Sequence, residues 1–306
     1  MVRQASETCP ACGSREYEQR GEKNGHAVYL CRECGSLHSP RFVLDYDGYY
    51  DESNLSVPDF VDQQLDRTVS ALQSYRQTNR LLDIGCGAGS FLQAARRAGW
   101  EAVGLEVSAR AAAHVRTQGF DVFLGDLSSA PYPAGHFDVI TAIELIEHVE
   151  NPLAMLEKVK RLLRPGGVLW GTTPNVQSLS SRVLGLGWST VWPPEHLQLY
   201  SLSGAKRLIS AAGFRNIKLR TSGCNVSELW HELRTGRKGS NSNGASDNLA
   251  ESPALLGDLD YDRVGSSYRL NEAMLRNSFT RGIKSAANAA LRLTGLGDTI
   301  RIRAEK

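Results

Sequence analysis

Two cysteine pairs near the start of the chain have the spacing of metal ligands. Cys9 and Cys12 are separated by two residues, Cys31 and Cys34 repeat that spacing, and a glycine follows each pair. A two-residue gap allows both thiolates of a pair to face one tetrahedral ion, a pattern typical of zinc. Four thiolates leave the ion no open position for water or substrate. We therefore predict a structural zinc ribbon, with its linker, over residues 1–50.

Ribbons of this kind often bind nucleic acid, and the charge of the segment bears on that alternative. Residues 1–50 contain six basic and seven acidic side chains, whereas a phosphate-binding face needs a positive surplus. We therefore expect no nucleic-acid partner. The ribbon is interpreted as a scaffold or as a cap on the next domain.

A second candidate site is the glycine-rich turn LDIGCGAGSF at residues 82–91. The turn lies between a short apolar run and a segment of helical period, which is where parallel sheets bind ligands. A dinucleotide is disfavoured, because Ser90 stands where that fingerprint needs its third glycine and Asp83 would face the pyrophosphate. A cationic ligand suits the turn better. The candidate binding residues are Asp83, Gly85, Cys86, Gly87 and Gly89.

Two more acidic residues follow the next two apolar runs. Glu106 lies where a carboxylate of this architecture accepts both ribose hydroxyls, and Asp126, followed by Leu127, could accept from an adenine amino group. Each acid taken singly is equally typical of a turn or of a helix N-cap. Three acids at three successive strand ends favour a positively charged nucleoside, and S-adenosylmethionine is such a ligand.

Short apolar runs alternate with segments of helical period from residue 80 onward. This alternation predicts an α/β fold, with a parallel sheet covered by helices on both faces. Residues 299–305 alternate at period two, which is typical of a last strand. The predicted strands are 80–84, 102–106, 121–124, 137–142, 167–173 and 216–220, and the predicted helices are 90–98, 109–118, 152–163 and 203–212.

Residues 80–222 resemble the class I S-adenosylmethionine-dependent methyltransferases. The resemblance rests on the glycine motif at 82–89, on VGLE at 103–106 and on LLRPGG at 162–167. The segments AIELIEHVENP at 142–152 and PEHL at 194–197 point to the branch that contains the ubiquinone-biosynthesis O-methyltransferases. The resemblance implies a Rossmann-like, mostly parallel sheet of seven strands in the order 3-2-1-4-5-7-6, with the last strand antiparallel.

Side chains after the fourth and fifth strands could supply a base for methyl transfer to a hydroxyl. Glu144, Glu147 and His148 have the spacing i, i+3, i+4, which would place them on one face of a short helix, and His196 follows the fifth strand. The sequence does not decide between His148 and His196 as the base. Glu144, Glu147 and His148 could instead bind a divalent cation such as Mg2+, as the resemblance to the ubiquinone-type enzymes implies. In a third interpretation, Glu147 and His148 only cap a short helix.

The predicted activity is methyl transfer from S-adenosylmethionine to an oxygen of a small molecule, a glycan or a lipid-linked intermediate. Base N-methyltransferases usually carry an Asn or Asp followed by two prolines after the fourth strand, and AIEL at 142–145 lacks that pattern. Two alternatives stay open. One is C-methylation of a sugar, and the other is a catalytically degenerate fold that binds RNA or a protein partner.

The chain has 306 residues, a formal net charge of +2 and no apolar run long enough for a membrane span, so we expect a cytoplasmic protein. Residues 51–306 are assigned to the methyltransferase domain, with an insertion at 222–297. Within the insertion, 237–260 is expected to be disordered and 267–294 to be helical. That helical part is basic and amphipathic. It either packs on its own domain, which we favour, or makes peripheral contact with an anionic membrane.

Overall fold

The structure is a computed structural model and describes residues 8–40, 59–226, 228–230 and 278–306. The predictions for residues 237–260 and 267–277 fall outside the described residues. Within the described ranges, no helix has both the length and the apolar character needed to cross a membrane.

The described strands and helices alternate along most of the chain. The strands are β1 (Tyr17–Lys23), β2 (His26–Cys31), β3 (Leu37–His38), β4 (Arg80–Ile84), β5 (Glu101–Glu106), β6 (Val122–Leu124), β7 (Phe137–Ile143), β8 (Leu163–Pro174), β9 (Gln198–Leu199), β10 (Arg215–Ser222) and β11 (Thr299–Glu305). The helices are α1 (Asp59–Leu72), α2 (Ser90–Arg97), α3 (Ala109–Thr117), α4 (Pro152–Leu162), α5 (Leu179–Leu184), α6 (Leu202–Ala211) and α7 (Ser278–Thr294).

A seven-stranded sheet forms the centre of the molecule, in the order β10-β11-β8-β7-β4-β5-β6. Strands β4 to β8 pair in parallel, whereas β11 is antiparallel to both β8 and β10. Counted from β4, this is the order 3-2-1-4-5-7-6, so the predicted fold class is confirmed. The parallel strands end at one edge of the sheet, and the glycine-rich turn lies at that edge.

Most element boundaries agree with the sequence predictions to within one or two residues, but β8 starts earlier than expected. The segment 163–167 was expected to form a turn, and it instead pairs with β7 through Leu163 and Phe137. The register then shifts before Val139 pairs with Val168. The Pro-Gly-Gly sequence is therefore accommodated as a bulge within the strand pair.

Helices α3, α4, α5 and α6 begin at residues whose side chains accept from a backbone amide of the first turn. Ser108 accepts from the amide of Ala111 at 3.2 Å, and Asn151 accepts from the amide of Ala154 at 3.2 Å, with a proline at the next position. These are the residue types that most favour a helix start. The apolar faces of α2, α3, α4 and α6 pack on the sheet, as in α2, whose buried residues are Phe91, Leu92, Ala94 and Ala95.

A buried ion pair joins β7 and β8 at the sheet edge opposite the glycine-rich turn. Asp138 is 0% exposed and accepts a hydrogen bond from the Arg164 guanidinium. Its second oxygen accepts from the backbone amides of Gln77, Thr78 and Asn79 at 2.7–2.9 Å. Burial alone would raise the pKa of Asp138, but Arg164 and these amides outweigh that effect and lower it. The carboxylate thereby holds the chain entering β4 against β7.

The four cysteines of the predicted ribbon meet at one point. The Sγ atoms of Cys9 and Cys34 lie 3.8 Å apart, and those of Cys12 and Cys31 lie 3.6 Å apart. Tetrahedral zinc with Zn–S bonds of about 2.3 Å holds its sulfurs roughly 3.8 Å apart. The donor set therefore fits zinc, which would act there as a structural cross-link.

The ribbon is continuous with the rest of the molecule. Strands β1, β2 and β3 form a sheet whose fourth strand is β9, from the segment that follows β8. Leu37 pairs with Leu199, and His38 pairs with Gln198. Cys9, Cys31 and Cys34 also belong to the same buried cluster as residues of α4, α6 and β11. Residues 8–38 and 198–201 thus form one packed unit.

Helix α7 packs beside β10, near the start of the last strand. The Thr221 hydroxyl donates to the carbonyl of Leu291 at 2.8 Å, and the amide of Gly223 donates to the Asn288 side chain at 3.3 Å. Asn175 donates to the carbonyls of Gly295 and Gly297, which ties the chain after α7 to the end of β8. These contacts position the chain so that β11 lies between β8 and β10.

We expect Asp138→Asn to lower the free energy of unfolding by roughly 3 kcal/mol, because it leaves the buried Arg164 charge without its partner. Urea titration followed by circular dichroism measures this loss. Asp66→Asn is the matched control, since the Asp66–Arg97 pair is exposed and contributes less than about 1 kcal/mol. Equal losses in both variants would contradict the structural role of Asp138.

We expect Cys31→Ser to release the bound metal and to lower the thermal stability of the whole chain, because Cys31 is buried in the shared core. Elemental analysis of purified protein measures metal per chain, and calorimetry measures the melting temperature. Cys224→Ser is the control, since that cysteine lies outside the group of four. A variant at Cys31 that keeps one zinc ion per chain would refute the site.

Candidate functional site

The glycine-rich turn after β4 has the backbone geometry of a ligand cradle. Gly85, Gly87 and Gly89 all have positive φ, of 68°, 50° and 82°. These conformations favour glycine, and a Cβ at Gly85 would also lie 3.0 Å from the Leu145 side chain. Gly89 is the N-cap of α2, so the turn leads directly into the helix N-terminus. The third position of a dinucleotide fingerprint, Ser90, is already the first residue of that helix.

Asp83 is buried at the carboxyl end of β4. It is 3% exposed, and one oxygen accepts from the Thr141 hydroxyl at 2.7 Å. Burial raises the pKa of Asp83 to about 7, the Thr141 hydroxyl partly offsets this rise, and the negative charge of Glu106 adds to it. A cation bound beside this carboxyl would favour its ionised form.

Glu106 ends β5 and is 2% exposed. One oxygen accepts from the amide of Gly87 at 2.9 Å, and the other accepts from the amides of Val107 and Ser108 at 2.9 and 3.1 Å. Its carboxylate therefore binds the glycine-rich turn to the end of the neighbouring strand. Each carboxylate oxygen can accept two hydrogen bonds, so Oε1 is fully used and Oε2 has capacity for one more, from a ribose hydroxyl.

Asp126 is exposed and shapes the turn after β6. Its Oδ1 accepts from the amides of Ser128 and Ser129 at 2.7 and 3.2 Å, and from the Ser128 hydroxyl. The hydrogen bond from the Ser128 hydroxyl is the main reason that the pKa of Asp126 is lowered. Asp126 therefore caps a turn, which is one of the two roles that the sequence allowed. None of the hydrogen bonds that form the turn uses Oδ2. Leu127 packs below it, 7% exposed.

The residues at this edge fit S-adenosylmethionine. The buried carboxyl of Asp83 and the carboxylate of Glu106 lie at adjacent strand ends, where a sulfonium or ammonium group would offset the cost of holding negative charge away from water. A phosphorylated ligand would increase that cost.

A second cluster follows β7 and β8. One ligand atom from each of Glu147, His148 and His196 lies within 4.8 Å of the other two. The rings of the two histidines are in edge contact, with centroids 4.7 Å apart. The sequence offered His148 and His196 as alternatives, and the structure brings them together.

The expected helical face does not form. Residues 146–148 are in a turn, and Glu144 has a positive φ of 45° and is exposed. Glu144 interacts with Glu147 and raises the pKa of that neighbour, but it is not in the group of three. The i, i+3, i+4 interpretation was therefore wrong in its geometry. The turn ends too soon for a helix because Asn151 and Pro152 start α4.

Both histidines have a defined tautomer. Nδ1 of His148 contacts the carbonyl of Glu195 at 3.0 Å, and Nδ1 of His196 contacts the carbonyl of Thr190. A carbonyl only accepts, so Nδ1 carries the hydrogen and Nε2 keeps the lone pair. Burial lowers the pKa of His148 to about 4, and burial also lowers that of His196. Both rings are neutral near pH 7.

Glu147 is fully buried, and only part of its carboxyl is paired. Oε2 accepts from the Thr173 hydroxyl at 2.9 Å, whereas Oε1 has no hydrogen-bond partner within the described part of the chain. Burial, followed by the charge of Glu144, raises the pKa of Glu147 well above its usual range. The Glu147 carboxyl, with one oxygen unpaired and both imidazoles nearby, calls for a proton or a cation.

A divalent cation fits this cluster, although with a different donor set from the expected one. Glu144 is replaced by His196, so the donors are one carboxylate and two imidazoles with their Nδ1 hydrogens bound to carbonyls. This set favours Zn2+, Mn2+ or Fe2+ over the oxygen-preferring Mg2+.

Several residues that position the site had not been singled out from the sequence. Gln198 donates to the carbonyl of Val149, Tyr200 donates to that of Ile146 at 3.1 Å, and the amides of Leu197 and Gln198 donate to that of Glu147. The run from 194 to 200 thus holds the turn 146–149 in place. The only sequence signal was the density of polar residues beside His196, in EHLQLY.

The chain matches a family model described as a methyltransferase domain over residues 58–219, which is slightly more than half of its length. The matched range includes the glycine-rich turn, the three acidic strand ends and both histidines. It begins after the ribbon.

Curated relatives include ubiquinone biosynthesis O-methyltransferases. The one from Cereibacter sphaeroides strain ATCC 17029 is 34% identical over 149 residues, which cover 45% of this chain and 60% of the relative. The one from Methylococcus capsulatus is 33% identical over 114 residues, which cover 35% of this chain and 48% of the relative. The chain therefore spans about half to three fifths of the length of these relatives.

Two solved structures share the fold at low identity. A SAM-dependent methyltransferase from Archaeoglobus fulgidus has a TM-score of 0.51 and 20% identity, over 86% of this chain and 100% of the other. The phosphoethanolamine N-methyltransferase 2 of Haemonchus contortus has a TM-score of 0.50 and 15% identity, over 94% and 71%. Together with the family match and the strand order, they show that this chain belongs to the methyltransferase-domain family.

Proposed function

We propose that the chain transfers the methyl group of S-adenosylmethionine to a hydroxyl oxygen of a small molecule or glycan. The observation that carries the proposal is the pair of neutral histidines beside the buried carboxyl of Glu147. This pair follows the two strands after which the acceptor is expected in this fold. The relatives named as O-methyltransferases support an oxygen acceptor.

The cofactor would bind across the ends of β4, β5 and β6. The cradle of Gly85, Gly87 and Gly89 lets the backbone approach the ligand closely, and Oε2 of Glu106 would accept from a ribose hydroxyl. Asp126 would accept from the adenine amino group, and Leu127 would pack beside the ring. Asp83 supplies negative charge near the methionine end.

The reaction is a displacement at the methyl carbon. The acceptor oxygen forms a bond to that carbon as the carbon–sulfur bond breaks, and the positive sulfonium becomes a neutral thioether. The hydroxyl proton goes to Nε2 of His148 or His196, which holds a lone pair because Nδ1 is bound to a carbonyl. The imidazolium that forms lies close to the Glu147 carboxyl, and its positive charge favours the ionised form of that group.

The protein contributes mainly orientation. The turn 146–149 is fixed by hydrogen bonds from residues 197–200, and the ring of His148 is fixed by the carbonyl of Glu195. A base held rigidly in place loses little entropy when the acceptor binds. A divalent cation held by Glu147, His148 and His196 would occupy the Nε2 lone pairs, so it would replace the histidines as the base and would instead lower the pKa of the acceptor hydroxyl.

We expect affinity for S-adenosylmethionine to increase with pH up to about 7 and then to level off. The bound cation favours ionised Asp83, whose pKa in the free protein is about 7, so binding below that pH releases a proton. Calorimetry in buffers of different ionisation enthalpy measures the affinity and the proton count. In Asp83→Asn the affinity should be low and nearly independent of pH between 6 and 8. Wild-type binding without pH dependence would contradict the role of Asp83.

We expect His148→Gln and His196→Gln each to reduce methyl transfer, with the variant at the base losing roughly 100-fold or more. The double variant should lose little beyond the worse single variant, because the two rings act as a unit. The measurement is mass spectrometry of a metabolite extract incubated with isotopically labelled methyl donor, and fragment masses separate O-methyl from C-methyl products.

Affinity for S-adenosylhomocysteine should be the same in these variants as in wild type, which separates a catalytic defect from a folding defect. His114→Gln on α3 is the control, since it lies on a helix away from the cluster. Undiminished labelling by the double variant would rule out the histidines as the base.

A further inference from the structure

The turn 146–149, which carries two members of the histidine cluster, is held by two buried side chains of one strand. The side-chain amide of Gln198 donates to the carbonyl of Ile146 at 3.3 Å and to that of Val149. The hydroxyl of Tyr200 donates to the carbonyl of Ile146 at 3.1 Å. Gln198 and Tyr200 are 3% and 0% exposed. Both ends of the turn are therefore fixed from the same side.

The strand that supplies these side chains belongs to the ribbon sheet. Gln198 pairs with His38, and Leu199 pairs with Leu37, in the β3–β9 ladder. The backbone amide of Gln198 also donates to the carbonyl of Glu147 at 3.2 Å. Gln198 thus contacts the ribbon through its strand pairing and the turn through its amide groups. A displacement of the ribbon would displace the turn as well.

Ser201 joins the end of this strand to the second pair of cysteines. Its hydroxyl donates to the carbonyl of Cys34, and its amide donates to the hydroxyl of Ser36 at 3.1 Å. Ser36 is itself buried, at 1% exposed. Cys34 is one of the four predicted zinc ligands, so a bound ion would fix the conformation of the loop that Ser201 contacts.

The ribbon also holds the segment that leads into His196. Lys23 and Asn24, at the tip of the β1–β2 hairpin, donate to the carbonyls at the two ends of the segment 188–193, at 2.9 and 3.0 Å. Nδ1 of His196 contacts the carbonyl of Thr190 inside that segment. Both histidines of the cluster are therefore positioned by chain that the ribbon anchors.

The cofactor end of the sheet is held by different contacts. Glu106 binds the glycine-rich turn to the end of β5, and Asp126 shapes the turn after β6. Neither residue lies in the ribbon or in the segment 188–201. We therefore expect a displaced ribbon to disturb the histidine cluster more than the cofactor site.

We propose that the ribbon positions the histidine cluster for catalysis, with Gln198 and Tyr200 as positioning residues, so that zinc in the ribbon sets the rate of methyl transfer without changing cofactor affinity. Both side chains act through the turn 146–149. A base displaced by about 1 Å loses on the order of 100-fold in rate. This inference rests on the proposed function, because it assigns the residues that hold the base of that reaction.

The test uses the full chain and variants that remove single contacts. Gln198→Met removes both amide donors at similar volume, and Tyr200→Phe removes one hydroxyl. Cys12→Ser removes the least buried of the four zinc ligands. Thr221→Val is the matched control for Tyr200→Phe, since it also removes a buried hydroxyl that donates to a carbonyl, in this case that of Leu291.

Each protein is studied well below its melting temperature. Elemental analysis gives zinc per chain, calorimetry gives the affinity for S-adenosylhomocysteine, and NMR gives the histidine ring resonances. The initial rate of isotopic labelling is measured in a metabolite extract at saturating labelled methyl donor. Zinc is removed by substitution because a chelator would also remove any cation bound at the histidine cluster.

Gln198→Met should label the extract about 100-fold more slowly than wild type, and Tyr200→Phe about tenfold more slowly, with zinc content and cofactor affinity unchanged. Zinc-free Cys12→Ser should lose rate by a similar factor to Gln198→Met, keep its affinity for S-adenosylhomocysteine and shift the same histidine resonances. If Cys12→Ser retains zinc, the double variant Cys9→Ser, Cys12→Ser takes its place. Thr221→Val should match wild type throughout.

The inference is overturned if Gln198→Met labels the extract as fast as wild type, or if the zinc-free variant loses cofactor affinity by as much as it loses rate. Identical histidine spectra in wild type and in the zinc-free variant would also overturn it. If wild type labels no compound in the extract, the proposed function fails instead. The histidine spectra then still decide whether the ribbon positions the cluster, so the two failures are distinguishable.

Discussion

The cost of holding negative charge away from water is the constraint on which the site depends. Asp83, Glu106 and Glu147 are buried at the ends of neighbouring strands or just beyond them. Backbone amides and threonine hydroxyls satisfy some of their oxygens, and the satisfied oxygens shape the turns around them. These hydrogen bonds bring no positive charge, so the cost of ionising the buried carboxyls remains. Ligands that bring positive charge are favoured at this edge of the sheet, and ligands that bring phosphate are disfavoured.

The ribbon and the sheet domain are coupled through a short stretch of chain. Residues 197–200 pair with the ribbon on one side and hydrogen-bond to the turn of Glu147 and His148 on the other. The geometry of the histidine cluster is therefore set by elements that lie far apart in sequence. The cysteine centre contributes by fixing the ribbon that carries β3.

The fold could be predicted from sequence because its signals are local. The central strands are short apolar runs, helices α3, α4, α5 and α6 begin at capping residues, and the glycine-rich turn identifies the first strand of the large sheet. The order of the strands came from the resemblance and not from periodicity. The start of β8 was missed, because Pro-Gly-Gly is typical of turns and its accommodation as a bulge depends on pairing with β7.

The site was predicted less completely than the fold. Asp83 and Glu106 follow directly from their places at strand ends, whereas the pairing of His148 with His196 depends on a contact across 48 positions that no local pattern encodes. Glu144 was assigned to the site because its spacing from Glu147 and His148 is helical. The structure has no helix in this segment, so that spacing does not bring the three side chains together.

The position of the cysteine centre inside the common core restricts how such a chain can be divided or recombined. Tyr200 and Ala205 pack in the same cluster as Cys9 and Cys31, and Ser201 at the start of α6 donates to the carbonyl of Cys34. A chain cut before α1 would expose these apolar surfaces to water. A ribbon exchanged for that of a homologue would preserve packing only where both sides of this contact remain complementary.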